Sequence, residues 1–237
     1  MRTLIWSAAL CVIAIVAVFA QLDRQSRYSP SLAQWVPHHF ASFSLVPRLG
    51  IPNSDASKQD MLRQASALVA RRPIPAEHQR LLAQAQLNFG WQDRSAQTIQ
   101  RAGRHGWRDA GVQQAMLVLA VQAGDDRQAA VRLAAMWALS ADREQLGRYA
   151  PMVLQRAAAR QEFATVLVDA RWKRSFLANG LSVLPPQTFA DTLSEALKAG
   201  AVFDCERLNR ARQSLSANAA ELAAPIAQPT QYDCQAG

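Results

Sequence analysis

Two stretches of the chain follow the same pattern, and the interval between them constrains the fold more than any other feature. Residues 82–104 read LAQAQLNFGWQDRSAQTIQRAGR and residues 116–138 read MLVLAVQAGDDRQAAVRLAAMWA, with Gly90 and Gly124 in matching places 34 residues apart. A glycine readily adopts the left-handed conformation that ends a helix, so each stretch predicts a helix, a turn and a second helix. Two helices alone cannot bury their apolar faces, so successive pairs must stack on one another.

The composition favours the same all-α fold class. Half of the 237 residues are hydrophobic (50%), only 10 are glycine and 11 are proline. Long alternating runs of Val, Ile and Thr are missing after the N-terminus, and such a composition favours helix over sheet. The length is sufficient for one domain with a substantial core.

Helix boundaries can be placed on both sides of the two stretches. Residues 57–73, SKQDMLRQASALVARRP, begin with a Ser-x-x-Asp pattern that can cap a helix and end at a proline. Residues 150–172, APMVLQRAAARQEFATVLVDARW, follow the plan of the two stretches without the glycine. We therefore predict about three degenerate repeats over residues 57–172.

This pattern resembles the tetratricopeptide repeat, whose period is about 34 residues. Gly124-Asp125 followed by Ala129 is similar to the family's Gly-Asp turn and to the small residue early in its second helix, and Gly90 and Ser95 lie at the same offsets. The resemblance covers about half the chain and implies an α-solenoid. Further core positions of the family match Leu82, Met116, Ile99, Leu133 and Ala102, and the departures are Met136 in place of a small residue and Trp107 and Ala141 in place of proline.

The whole chain also resembles an uncharacterised group of membrane-anchored, tetratricopeptide-like proteins of alphaproteobacteria. The resemblance is carried by the N-terminal apolar run, by RRPIPAEHQRLLAQAQL at residues 71–87 and by FDCERL at residues 203–208. It implies a membrane-anchored repeat protein and supplies no reaction.

The N-terminus predicts the compartment. Thr3–Ala20 contains no charged residue, and as a helix it would rise about 27 Å, close to the hydrocarbon thickness of a bilayer. We predict a transmembrane anchor over residues 1–22 that holds the protein in the inner membrane by a single pass, with the body in the periplasm. A cleavable signal peptide is the alternative, since Val18-x-Ala20 is similar to a processing site; cleavage would release the body into the periplasm.

Residues 23–56 predict a connector, because their prolines remove backbone donors and restrict the preceding residues. We expect an extended or partly helical segment whose aromatic residues pack on the membrane interface or on the following domain. The prolines and glycine are Pro30, Pro37, Pro47, Pro52 and Gly50, and the aromatic residues are Trp35, Phe40 and Phe43.

Residues 173–237 predict helices that cap the apolar end of the stack, with a turn at Asn179-Gly180. Cys205 and Cys234 fit an intramolecular disulfide in an oxidising compartment, and its loop entropy would contribute about 3–4 kcal/mol. Two free buried thiols are the alternative. No metal site is expected, because neither cysteine has a second Cys or His at ligand spacing.

The basic charge does not by itself indicate a nucleic-acid partner. The formal net charge is +8, but most arginines and lysines are scattered along predicted helices, where solvated faces account for them. Nucleic acid is therefore not an expected partner.

No motif in the sequence predicts catalysis. His38-His39 are adjacent and point in different directions, and neither His78 nor His105 has a nearby nucleophile or metal partner. A Gly-rich phosphate loop, a zinc-protease helix and a Gly-x-Ser-x-Gly elbow are all missing. We assign no catalytic residue, no metal and no cofactor, although carboxylates paired across the fold would escape such a search.

The remaining candidate is the concave surface that the family resemblance implies, lined by the first helix of each repeat. Its amide-rich character suits an extended peptide or a glycan, and an ordinary solvated helix face is the alternative. We expect a scaffold that binds an envelope protein or peptide segment during envelope polysaccharide or cell-wall assembly; an envelope glycan-binding or glycan-cleaving enzyme is the alternative. The positions are Glu77, Arg80, Gln84, Leu87, Asn88, Gln114, Val118, Val121 and Gln122.

Overall fold

The computed structural model describes residues 2–50, 57–139, 142–218, 221 and 234–235. This part of the chain forms 13 helices and one pair of two-residue strands, so the all-α class is confirmed. The helices are α1 (Arg2–Gln25), a 3₁₀ helix (Pro30–Trp35), α2 (Leu45–Gly50), α3 (Lys58–Arg71), α4 (Ala76–Asn88), α5 (Gln92–His105), α6 (Ala110–Ala123), α7 (Asp126–Ala138), α8 (Arg143–Leu154), α9 (Ala157–Asp169), α10 (Lys173–Val183), α11 (Pro186–Lys198) and α12 (Cys205–Asn218). The strands are β1 (Phe203–Asp204) and β2 (Cys234–Gln235).

Local sequence signals set several helix ends. The Ser57 hydroxyl accepts a hydrogen bond from the Asp60 N–H at 3.1 Å at the start of α3, and the Asp125 carboxylate accepts from the Gln128 N–H at 2.9 Å before α7. Gly124 ends α6 with φ +70°, and Gly90 follows α4 with φ +94°. Both glycines thus lie in the left-handed turns that the repeated pattern predicts.

The chain divides into two compact units, Met1–Gly106 and Trp107–Gly237. In the first unit α3 packs on α4 and α4 packs on α5 as antiparallel neighbours. Ser95 of α5 is buried and donates a hydrogen bond to the carbonyl of Ala83 in α4 at 2.7 Å. A small residue at position 95 therefore lets the two helices approach closely.

The connector folds back on the helices that follow it. Residues 30–50 contain the 3₁₀ helix and α2, and Leu45 lies in one apolar cluster with Leu68 of α3 and Leu81 of α4. Phe40 packs against the same cluster, whereas Trp35 stays 69% exposed. The segment is thus part of the first unit's core; Pro52 lies outside the described residues.

The second unit is built around a row of aromatic side chains. Trp137 of α7, Phe163 of α9, Phe176 of α10 and Phe189 of α11 are fully buried. The ring centroids of Trp137 and Phe176 lie 5.3 Å apart, as do those of Phe176 and Phe189. Because each ring comes from a different helix, the row joins the helices of this unit into one core.

The predicted turn at Asn179-Gly180 is wrong, because both residues lie inside α10. A Cβ atom added to Gly180 would lie 2.2 Å from the ring of Phe189. Close packing of α10 against that ring, rather than a turn, thus accounts for this glycine.

A disulfide joins Cys205 and Cys234, as predicted. It links the first residue of α12 to β2, which pairs with β1 in parallel so that Phe203 lies opposite Cys234. Phe203 is buried and Cys234 packs against the core of the second unit. The bridge therefore holds β2 on that core.

Candidate binding surface

Three of the nine predicted surface residues lie together at the end of α4. Gln84, Leu87 and Asn88 are exposed on its last two turns, where residues three and four apart are neighbours. The Gln84 side-chain amide donates a hydrogen bond to the Asn88 Oδ1 at 3.1 Å, and Leu87 is 49% exposed. This end of α4 presents an apolar side chain beside two amides.

Two aromatic residues that the sequence analysis did not select extend this surface. Phe89 and Trp91 flank Gly90, are 40% and 38% exposed, and contact each other edge to face with centroids 4.8 Å apart. The Arg94 guanidinium lies over the Trp91 ring at 4.5 Å. We call the six residues Gln84, Leu87, Asn88, Phe89, Trp91 and Arg94 the α4–α5 turn surface.

The left-handed Gly90 is what places these aromatics side by side at the surface. Its turn reverses the chain between α4 and α5, so the residues on either side project from the same end of the helix pair. The available signal was the tetrapeptide NFGW, two aromatic residues around a helix-ending glycine. Helical periodicity does not predict these two residues as part of a surface, because Phe89 and Trp91 lie between α4 and α5 and belong to neither helix.

The other two predicted residues of α4 lie nearer its start. Glu77 and Arg80 are half-buried, and Glu77 lines a cavity of 360 Å³ beside the buried His78. They are therefore not part of the α4–α5 turn surface.

The predicted residues of α6 belong to the second unit. Gln114 donates a hydrogen bond to the Tyr149 hydroxyl of α8 at 3.3 Å. Val121 packs against that unit's core, Val118 is half-buried, and Gln122 is exposed. Gln114 and Val121 thus make contacts within the second unit, and Gln122 is the most exposed of these four residues.

A buried arginine is a second feature that the sequence analysis missed. Arg132 of α7 is 8% exposed, donates a hydrogen bond to the Gln113 Oε1 at 3.1 Å, and lies 4.4 Å over the Trp107 ring. Burial lowers the pKa of Arg132 from its ordinary value. These contacts tie the segment before α6 to α6 and α7, which is a structural role.

The described residues hold no cluster of three or more His, Cys, Asp and Glu side chains suited to a metal. His38, His39 and His105 are exposed. His78 is buried, and its Nδ1 lies 3.0 Å from the Arg72 carbonyl oxygen. A carbonyl can only accept, so Nδ1 donates this hydrogen bond.

The end of α1 is built into the first unit. Asp23 is 5% exposed, and its carboxylate accepts backbone hydrogen bonds from Ser42 at 2.9 Å, Phe43 at 3.1 Å and Ser44 at 3.0 Å. The Phe19 ring lies 5.4 Å from that of Phe40. The last turns of α1 are therefore joined to the segment that follows by both polar and aromatic contacts.

Within the described residues, Thr3–Gln25 is the single helix long and apolar enough to cross a membrane, with a mean hydropathy of 2.5. A signal sequence has the same properties, so length and composition do not distinguish the two readings. Together with the disulfide, this helix indicates an extracytoplasmic location.

No protein-family model, curated protein or solved structure matches the chain.

Proposed function

We propose that this protein is a membrane-anchored scaffold of the bacterial envelope, with its body in the periplasm. It binds a segment of another envelope protein at the α4–α5 turn surface and serves envelope polysaccharide or cell-wall assembly. The exposed pair Phe89 and Trp91 beside Arg94 is the observation that carries the binding role, and the contacts of Asp23 at the end of α1 support the anchoring.

The anchoring step follows from those contacts. Cleavage after Ala20 would remove Phe19 from Phe40, and the residues just beyond the cut include Asp23, whose carboxylate is already engaged by three backbone N–H groups. A peptidase binds its substrate in an extended form, whereas this segment is helical and continues into the turn of α1 that holds Asp23. An uncleaved anchor explains why the apolar helix continues into the folded unit.

We further propose that α4–α5, α6–α7 and α8–α9 are three degenerate tetratricopeptide-like repeats, with the helices after α9 as the cap. The two left-handed glycines lie 34 residues apart, at 90 and 124. Ala129 and Ala102 are 0% and 1% exposed, which agrees with the family's small residues where two helices approach closely. The glycines and the alanines thus support the resemblance at positions where the family requires a helix-ending glycine or a small residue.

The chemistry of the α4–α5 turn surface suits a protein partner. Exposed aromatic residues and arginine are the side chains most enriched where binding energy concentrates, and amides can pair with an extended backbone. Phe89, Trp91 and Arg94 supply the first kind, and Gln84 and Asn88 the second. An envelope glycan is the alternative ligand, because aromatic rings and amides also bind sugars.

Site-specific photo-crosslinking in intact cells tests the proposal. A photo-reactive residue at Asn88 should give one discrete adduct with an envelope protein, and Trp91→Ala should abolish it by removing the central ring. A probe at Arg63, exposed on α3 and outside this surface, is the matched control and should give no such adduct.

Equal adducts at positions 88 and 63, or a cytoplasmic protein in the adduct, would contradict the scaffold proposal. Quenching of tryptophan fluorescence by purified envelope polysaccharide, lost in Trp91→Ala, would favour the glycan ligand instead. Turnover of that polysaccharide, abolished by one Asp or Glu substitution, would replace the scaffold with an enzyme.

A further inference from the structure

A cavity of 360 Å³ that is open to solvent lies in the first unit, close to the point where α1 ends. Arg27, Arg72 and His78 line it together with Phe43 and Glu77. The remaining lining residues are apolar: Val46, Pro47 and Pro75. The cavity therefore combines an apolar wall with a concentration of cationic side chains.

Among the described residues no ion pair joins either arginine of this cavity to a carboxylate, and Glu77 is the one acidic side chain in the lining. The Arg72 guanidinium lies 4.0 Å from the Phe43 ring centroid, and that of Arg27 lies 6.0 Å from the same centroid. The two cations repel each other, and an anion between them would offset this repulsion by attracting both. Planar guanidinium groups with unused donors are well suited to the oxygen atoms of a phosphate.

His78 is a third side chain of this cavity, and its pKa depends on the charges around it. Burial lowers its pKa, the hydrogen bond to the Arg72 carbonyl raises it, the positive charges of Arg72 and Arg27 lower it and Glu77 raises it. The net effect is a pKa below the ordinary value. Because Nδ1 already donates to the carbonyl, Nε2 is the nitrogen that can gain a proton when an anion enters.

The position of the cavity relates it to the membrane, a step that rests on the proposed anchoring. The apolar run ends at Ala20 and α1 ends at Gln25, so a helical rise of about 1.5 Å per residue places the end of the helix about 7.5 Å further on, with Arg27 in the turn that follows. The phosphate-bearing layer of a bilayer lies immediately outside its roughly 30 Å hydrocarbon core. A lipid headgroup would therefore lie within reach of Arg27.

We propose that the cavity lined by Arg27, Arg72 and His78 binds a phosphate group. Such a phosphate has two sources, the headgroup of an anionic phospholipid in the anchoring membrane and a free phosphate in solution. Glu77 at the same cavity weakens binding by its charge and so limits the affinity.

The test uses the full chain with ¹³C-labelled histidine, and His78→Gln identifies the His78 resonance among the four histidines. In zwitterionic detergent micelles, inorganic phosphate should raise the measured pKa of His78, whereas chloride at equal ionic strength should not. Nanodiscs of phosphatidylglycerol should produce the same change relative to nanodiscs of phosphatidylcholine. The first arm does not depend on anchoring, so its outcome is separate from that of the scaffold proposal.

Variants locate the site. Each of Arg27→Gln and Arg72→Gln should weaken apparent phosphate affinity about tenfold, the scale of one lost hydrogen bond to a charged group. Glu77→Gln should strengthen it, and Arg63→Gln, an exposed charge on α3, should leave it unchanged. The comparison of phosphate with chloride is made on the wild-type protein, so it does not depend on the folding of the affinity variants.

Each outcome either tests the proposal or identifies the source of the phosphate. A response to phosphatidylglycerol alone assigns the site to the lipid headgroup, and a response to inorganic phosphate alone assigns it to a soluble ligand. No change of the His78 pKa in either arm, or an equal effect of Arg63→Gln and Arg72→Gln, overturns the proposal.

Discussion

At the scale of single residues, Gly180 lets α10 pack closely against the Phe189 ring because it has no side chain. Gly180→Ala should destabilise the second unit by about 1–3 kcal/mol, the usual cost of overpacking, because its Cβ would lie 2.2 Å from the Phe189 ring. Urea unfolding followed by circular dichroism measures the change.

Gly147 is the matched control for that substitution. It lies in α8, and an added Cβ would have no atom within 4 Å. Gly147→Ala should therefore stabilise the protein by up to about 1 kcal/mol through helix propensity. Equal effects at the two glycines would contradict the packing explanation.

His78 predicts a dependence of stability on pH. Its pKa in the folded protein lies below the ordinary value of 6.5, principally because of burial, with the charges of Arg72 and Arg27 acting in the same direction. The unfolded chain therefore binds a proton more readily. Its contribution to the free energy of unfolding is complete above pH 6.5 and falls as the pH drops towards the folded-state pKa.

Thermal unfolding from pH 7.5 to 5 measures this dependence, with wild type and His78→Gln compared at each pH. The wild type should lose more stability than the variant below about pH 6.5. Identical pH profiles for the two proteins would show that His78 does not contribute.

At the scale of secondary-structure elements, the junction between α1 and the following segment depends on one carboxylate. Asp23→Ala removes the acceptor for the N–H groups of Ser42, Phe43 and Ser44. Loss of these charge-assisted bonds should destabilise the first unit by about 1.5–3 kcal/mol.

Hydrogen exchange provides the specific measurement for Asp23. The amides of Ser42, Phe43 and Ser44 should lose protection in Asp23→Ala, while amides in the second unit's α9 keep theirs. Unchanged exchange at residues 42–44 would contradict the role of Asp23.

Element packing also explains why the connector differs from a simple spacer. Arg48 of α2 donates a hydrogen bond to the carbonyl of Val36 at 2.8 Å, and Arg71 of α3 donates to the carbonyl of Ala41. These cations satisfy backbone acceptors in a segment whose prolines prevent long regular helices. The prolines predict irregular backbone, but they do not predict which distant side chains hold it.

At the scale of the whole molecule, the disulfide connects stability with cellular location. Cys205→Ser should cost about 3–4 kcal/mol by loop entropy, and it should leave α3 to α5 helical because these helices belong to the first unit, whereas the bridge lies in the second. Thermal unfolding by circular dichroism checks both statements. Thiol labelling in intact cells should leave both cysteines unlabelled until reductant is added; full labelling without reductant would contradict the periplasmic location.

The amino-acid sequence was enough to predict the helical class, the turn glycines 90 and 124 and the apolar span, and it favoured the Cys205–Cys234 pairing over two free thiols. Each depends on local pattern, on length or on the few partners available. The candidate surface was only partly foreseen: helical spacing selected Gln84 and its neighbours on α4, but not the aromatic residues at the turn.

Tertiary structure alone decided that Gly180 lies inside a helix and that Asp23 meets residues 42–44. It also decided that Arg27 and Arg72 share one aromatic ring beside His78. These features join positions that are far apart along the chain or in different helices. Their proximity depends on how whole helices pack, and this packing has no period in the sequence that local propensity or spacing could detect.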